Sequence, residues 1–205
     1  LGATVELTVA AMLVAVAASI ALALLTSGQR PGVRLIAQGL EIVAVSVPSF
    51  WLGIVLMTIF SFGLRWVPAG LILPVITLAV PLVGVITQIL RERIEHQLHE
   101  PFVTTIRARG VSESRLRSGH LLRHASVPAL TLSSIIFGSL LTGTVVIETL
   151  FARPGIGRVI VMALQDRDVP VVLGFVIFAA LIFIIINTIV DLVLPLIDPR
   201  LKESR

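Results

Sequence analysis

The sequence predicts an all-α fold, a polytopic bundle of membrane-spanning helices, on three observations. Hydrophobic residues make up 56% of the chain, mean hydropathy is +1.03 and charged residues are only 14%, a balance foreign to soluble domains. The apolar residues gather in five runs with charges at their ends, each near the roughly 20 residues a helix needs to cross a ~30 Å hydrocarbon core. The runs are also continuous, whereas membrane β-strands alternate apolar and polar residues over about 10 positions.

In chain order the expected spans are residues 5–25, 39–62, 71–90, 127–150 and 169–197. The first carries Glu6 and no basic residue at its start, unlike a secretory signal. Pro48, Pro74 and Pro81 are expected to break or bend the second and third locally, which is tolerated where neighbouring helices satisfy the freed carbonyls. The fourth carries Ser134, Gly138 and Thr142 at four-residue spacing, with Ser139 and Gly143 on an adjacent stripe. Small residues let helix backbones approach closely, so this stripe is read as packing, with a border on a translocation path as the alternative. The fifth contains Asn187 and Asp191 one turn apart.

Short loops rich in Lys and Arg stay cytoplasmic. Of the sixteen such residues, Arg30 and Arg34 follow the first run, and Arg91, Arg93, Arg107, Arg109, Arg115, Arg117 and Arg123 follow the third. Arg200, Lys202 and Arg205 close the sequence, leaving Arg65, Arg153, Arg158 and Arg167 for the other side. This twelve-to-four split predicts that segment 91–126 and the C-terminus are cytoplasmic. Residue 1 then lies outside and is Leu, so the expectation is a fragment of a longer protein with at least one earlier span.

The absence of cysteine excludes disulfides, thiolate metal sites and a cysteine nucleophile. The net charge of +4 belongs to the membrane flanks and points to anionic lipid heads rather than nucleic acid. A phosphate-binding loop needs glycines ending in Lys followed by Ser or Thr. The single lysine, Lys202, is followed by Glu203, so ATP is not bound that way here. Residues 154–157, PGIG, read as a turn.

Segment 101–128, PFVTTIRARGVSESRLRSGHLLRHASVP, is the most informative part of the chain. A helix over 100–109 places Phe102, Val103 and Ile106 on one face. Gly110 interrupts it, Ser112 is an N-cap candidate, and a second helix from about Glu113 leads to Pro128, expected in the first turn of the fourth span. Two readings stand: a short helix presenting Phe102, Val103 and Ile106 to a groove on a soluble partner, or an amphipathic loop resting on lipid heads.

The remaining polar residues also carry two readings each. His96 with His99 and His120 with His124 are spaced three and four apart, a chelating arrangement or simply solvated residues near a membrane surface, the latter favoured. Glu41, Glu148 and Asp191 fall inside apolar runs, where a carboxylate at mid-bilayer costs about 3 kcal/mol. They are read as partners for Arg or backbone groups of neighbouring helices, with a proton relay or gate as the alternative.

Four ordered motifs resemble the permease subunits of bacterial ATP-binding-cassette importers, most of all the dipeptide, oligopeptide and nickel branch. They are FVTTIRARGVSES around Gly110, LLRHASVP ending at Pro128, VVIETLFARPGIGR over 145–158, and IVDLVLPLIDPRLK over 189–202. The first pair is the cytoplasmic coupling loop, or EAA loop, about 100–126. The wider family's glutamate is Thr104 here, Thr105 and Ile106 replace its alanines, and His124 stands where the branch often has Asn.

The resemblance implies a type I, MetI-like permease fold with six spans, five of them in this sequence, in a bacterial inner (cytoplasmic) membrane. It implies no catalysis and no cofactor in this chain, with ATP and Mg²⁺ bound by partners. Those partners are a second homologous permease, two cytoplasmic ATPases and an extracytoplasmic substrate-binding protein. It marks Phe102, Val103, Thr104, Thr105, Ile106, Arg107, Ala108, Arg109, Gly110 and Ser112 as ATPase-coupling residues. Ser134, Gly138, Thr142 and Glu148 remain pore or packing candidates. Peptides are the implied cargo, with nickel, glutathione or another small solute as alternatives. A proton-coupled secondary transporter using Glu148 or Asp191, and a scaffold that transports nothing, are the competing classes.

Overall fold

Thr4, Thr8, Ala11, Ala15, Ser19 and Ala23 are all buried on one stripe of the first helix, α1 (Gly2–Thr26). With side chains this small its backbone lies close against α4 (Ile72–Leu98), the most extensive helix contact among the described residues. The computed structural model describes residues 2–28, 31–67 and 70–197, and every regular element among them is helical.

α2 (Pro31–Ser46) and α3 (Ser49–Leu56) form the second run, and α3 passes into a π-helical stretch, Met57–Gly63. The two arms meet at 99° at Val47 and Pro48. Pro48 lacks an N–H and disfavours helix in the residue before it, so the predicted break occurs here. Pro74 falls in the first turn of α4, and α4 continues through Pro81, so neither interrupts a helix. Gly84 on α4 faces α2 so closely that a Cβ there would lie 2.8 Å from Val45 Cγ2.

The segment between α4 and the next long helix contains α5 (Pro101–Ala108), a single turn α6 (Glu113–Arg115), and a π-helical stretch, Leu116–Leu121. That stretch runs directly into α7 (Leu122–Leu150). Pro128 is therefore inside α7 rather than in its first turn, a correction to the sequence reading. The helix expected from about Glu113 and the fourth span form one uninterrupted run, with Leu116, Leu121 and Ala125 fully buried along it.

A further helix absent from the sequence reading, α8 (Ile156–Gln165), packs on α7 through Gly157, Ile160 and Ala163. α9 (Val169–Ile197) closes the described chain on the predicted bounds of the fifth run. Three described helices are long and apolar enough to cross a membrane, α1, α4 and α9 as far as Val190, and α2 with α3 makes a fourth if counted as one bent span. The remaining run, 127–150, lies within α7.

Candidate functional site

Segment 101–121 folds as an elbow. Pro101 opens α5 with a φ suited to the first helical position and no N–H to leave unpaired. The helix stops because Gly110 takes φ +77, a conformation glycine adopts without a Cβ clash. Its N–H closes the turn on the Arg107 carbonyl at 2.9 Å. Ser112 then occupies the N-cap position, but its hydroxyl makes no cap bond and lies 3.4 Å from Ser114 Oγ.

Val103, 1% exposed, and Leu116 and Leu121, both 0%, pin the elbow into the core. Phe102, Thr104, Thr105, Arg107, Ala108, Arg109, Gly110 and Ser112 are exposed, and Ile106 is half-buried. The expected apolar face therefore divides. Val103 anchors the helix inward, while Phe102 stays available and stacks edge-on against His124 with centroids 6.4 Å apart.

An exposed ion pair spans the elbow's turn. Arg107 Nε and Nη2 donate to Glu113 Oε1 and Oε2 at 2.6 and 3.2 Å, a bidentate pair bridging the Gly110 turn. The hydrogen bond from Arg107, followed by the charges of Arg107 and Arg117, holds the Glu113 carboxyl below its usual range. The same bond raises Arg107 further. One turn on, Arg117 Nη2 lies 3.9 Å from Glu113 Oε2, and its Nη1 donates to the Ser27 carbonyl at the end of α1 at 2.7 Å.

A buried ion pair joins α2 to α4. Arg91 donates from Nε and Nη2 to Glu41 Oε1 and Oε2 at 3.1 and 2.5 Å, with the two side chains 4% and 8% exposed. Glu95 adds a contact to Arg91 at 3.9 Å and binds Arg34 at 3.1 Å. Glu41 thus has the arginine partner that its place in an apolar run requires.

At the other end of α1, Glu148 of α7 is fully buried. Its Oε2 accepts the Gly157 N–H at 2.7 Å, at the first turn of α8, and the Thr4 hydroxyl accepts the adjacent Ile156 N–H at 2.9 Å. The PGIG turn is built around this carboxyl: a Cβ on Gly155 would lie 2.1 Å from Glu148 Cδ and from both its oxygens. A Cβ on Gly157 would meet Val145 Cα at 2.5 Å. Glu148 is enclosed by its own chain, with Oε2 bound to backbone.

The remaining sequence candidates stay apart from these clusters. Among the described residues no three His, Asp or Glu side chains gather into a metal-holding group. Ser134, Gly138 and Thr142 are in α7, but their side chains, and that of Asp191, lie outside the described residues, as does the end of the fourth motif from residue 198. Gly143, on the adjacent stripe, faces α4, where a Cβ would contact Leu78 at 3.5 Å.

Residues 15–203 match the family described as the binding-protein-dependent transport system inner membrane component. The chain belongs to this family. Similar curated relatives include a putative peptide transport system permease of Brucella abortus, 38% identical over 178 residues, covering 80% of this chain and 57% of the relative. The dipeptide transport system permease DppB of Bacillus subtilis is 33% identical over 205 residues, covering 96% of this chain and 67% of the relative. The glutathione transport system permease GsiC of Salmonella typhi is 37% identical over 170 residues, covering 80% and 56%. The chain spans little more than half the length of the Brucella and Salmonella proteins. As a member of this transport family it is an all-α, multi-pass inner-membrane component with a permease's MetI-like fold.

Sequence reasoning located the elbow but not the side chains that hold it. Arg107 and Glu113 are six residues apart across a turn, and Arg117 and Ser27 ninety apart. Neither separation has a helical signature. The α1 stripe did carry a usable signal in its four-residue spacing of Thr, Ala and Ser.

Proposed function

We propose that this chain is the permease subunit of an ATP-driven importer of peptides or similar small solutes. It supplies half of a translocation path, a second homologous permease supplies the other half, and a substrate-binding protein delivers cargo from outside. Two cytoplasmic ATPases bind ATP and Mg²⁺ and dock on the elbow. The five spans at 5–25, 39–62, 71–90, 127–150 and 169–197 put the elbow and C-terminus on the cytoplasmic side, as the distribution of Arg and Lys supports.

The observation that carries this reading is the elbow itself. Of the seven consecutive residues Thr104 to Gly110 all but Ile106 are exposed, yet Val103, Leu116 and Leu121 anchor both arms in the core. A rigid, polar projection on buried anchors suits docking to a soluble protein better than lying on lipid, since Arg107 spends its charge on Glu113 rather than on headgroups. Thr104 takes the place where the wider family has glutamate, so docking rests on shape and on Phe102, Thr105, Ala108 and Arg109 rather than on an acidic contact. The relatives named for peptide, dipeptide and glutathione transport support small peptides as cargo.

Two experiments test the proposal. Affinity capture of the full-length protein in mild detergent, followed by mass spectrometry, should recover two ATPase subunits and a second permease in stoichiometric amounts. Recovery of this chain alone, from membranes where those partners are expressed, would overturn the reading. Gly110→Trp, at a φ of +77, should leave insertion intact and uncouple ATP hydrolysis from uptake, and normal uptake by a well-expressed variant would count against the docking role.

A further inference from the structure

We propose that Arg117 is a positioning residue that ties the elbow to the end of α1, so that displacement of the elbow is delivered to α1 as well as to α7. The inference rests on the importer reading and deepens it by naming the route that leaves the docking surface.

The elbow continues covalently into α7, so α7 needs no further link. α1 has no such continuity, being separated from the elbow by α2, α3 and α4 in the chain. The only side-chain hydrogen bond described between α1's end and the elbow segment is Arg117 Nη1 to the Ser27 carbonyl, 2.7 Å. A carbonyl just past a helix C-terminus is a favoured seat for a cation, because the last carbonyls of a helix lack partners and carry its negative dipole end.

Three features adapt the seat to this guanidinium. Gly28 turns the chain with φ +64, and a Cβ there would approach Arg117 Nη2 to 3.0 Å and Leu98 Cδ1 to 3.2 Å. Ser27 is 0% exposed, so its carbonyl bond to Arg117 is sheltered from water. The guanidinium also reaches Glu113, whose other contacts are both to Arg107. The result is one polar line: Arg107 on the first arm, Glu113 beyond the turn, Arg117 on the π-helical stretch, and the end of α1. Among the described residues Arg117 Nε and Ser27 Oγ have no hydrogen-bond partner. That leaves a donor and a hydroxyl able to re-pair if the joint shifts.

The test measures ATP hydrolysed per substrate imported, in the assembled transporter reconstituted into vesicles. A merely structural arginine would alter assembly or thermal stability and leave this ratio unchanged. Arg117→Ala should raise it about tenfold, within the range by which residues between coupled sites alter coupling. Arg117→Lys keeps the charge and one donor at a time, and should fall between the two. If Arg117→Ala does not assemble, Arg117→Lys decides alone: a raised ratio supports the link and a wild-type ratio overturns it. A wild-type ratio in an assembled Arg117→Ala transporter likewise overturns it while leaving the importer reading in place. Absence of ATP-driven uptake by the unsubstituted transporter would instead remove the importer reading, and this inference with it.

Discussion

Gly155→Ala isolates the contact around Glu148, because the backbone there poses no obstacle. Gly155 has φ −117 and ψ −179, extended values that alanine adopts freely. The whole effect must come from the added methyl, which would sit 2.1 Å from Glu148 Cδ, Oε1 and Oε2 together. The carboxyl has to move off the turn and give up its 2.7 Å bond from the Gly157 N–H. Losing that bond costs about 1–3 kcal/mol, and forcing a methyl into a filled site adds about 1–3 kcal/mol. The expected loss is thus about 2–6 kcal/mol. The assay is a reversible unfolding titration in mixed micelles on Gly155→Ala, Glu148→Ala and the double variant. Removing the carboxyl vacates the space the methyl needs, so the double variant should lie close to Glu148→Ala alone. Additive effects, within about 0.5 kcal/mol, would refute the contact as the cause.

Two further outcomes are expected. Arg91→Ala strands Glu41 in a site where the pair is less than a tenth exposed, and should destabilise by about 3–5 kcal/mol in the same titration, whereas Glu41→Leu/Arg91→Met should fall much nearer wild type. Glu113 has its carboxyl pKa lowered in the folded protein by Arg107, so the pair's contribution is complete above the ordinary carboxylate pKa and fades as pH falls through the lowered value. Hydrogen exchange at 101–121 should therefore rise on acidification below the usual carboxylate range, beyond the intrinsic exchange rate, and Glu113→Gln should abolish the pH-dependent part.

Most of the helical framework was legible because hydropathy and length are local properties. The break at Pro48, the helix-glycine-helix form of the elbow and the bounds of α9 all follow from residues adjacent in the chain. What escaped depends on packing. Pro128 is carried inside α7 because the helix expected from about Glu113 joins the span without a break, with Leu116, Leu121 and Ala125 buried along it. α8 was not foreseen beyond the PGIG turn, since its ten residues are too few to span a membrane and the Glu148 carboxyl that accepts the Gly157 N–H in its first turn comes from α7. The coupling candidates were found by pattern, but that Val103 faces inward while Phe102 does not is decided by which side of α5 meets the core.

The described polar contacts of α1 with other segments sit chiefly at its two ends, and this bears on how such a bundle can move. Thr4 binds the α8 amide, Glu6 binds Arg153 at 3.1 Å and Thr8 lies 3.4 Å from Thr144, while at the opposite end the Ser27 carbonyl holds Arg117. Between them the buried stripe is largely alanine, with Ser19 reaching the Val83 carbonyl at only 3.4 Å. Contacts between small apolar side chains favour closeness but little particular register, whereas hydrogen bonds at fixed distances fix position. A helix of 25 residues is a rod of roughly 37 Å. Joined by directional bonds at its tips and by smooth packing along its length, it is suited to carry a shift imposed at Ser27 to the turn that encloses Glu148.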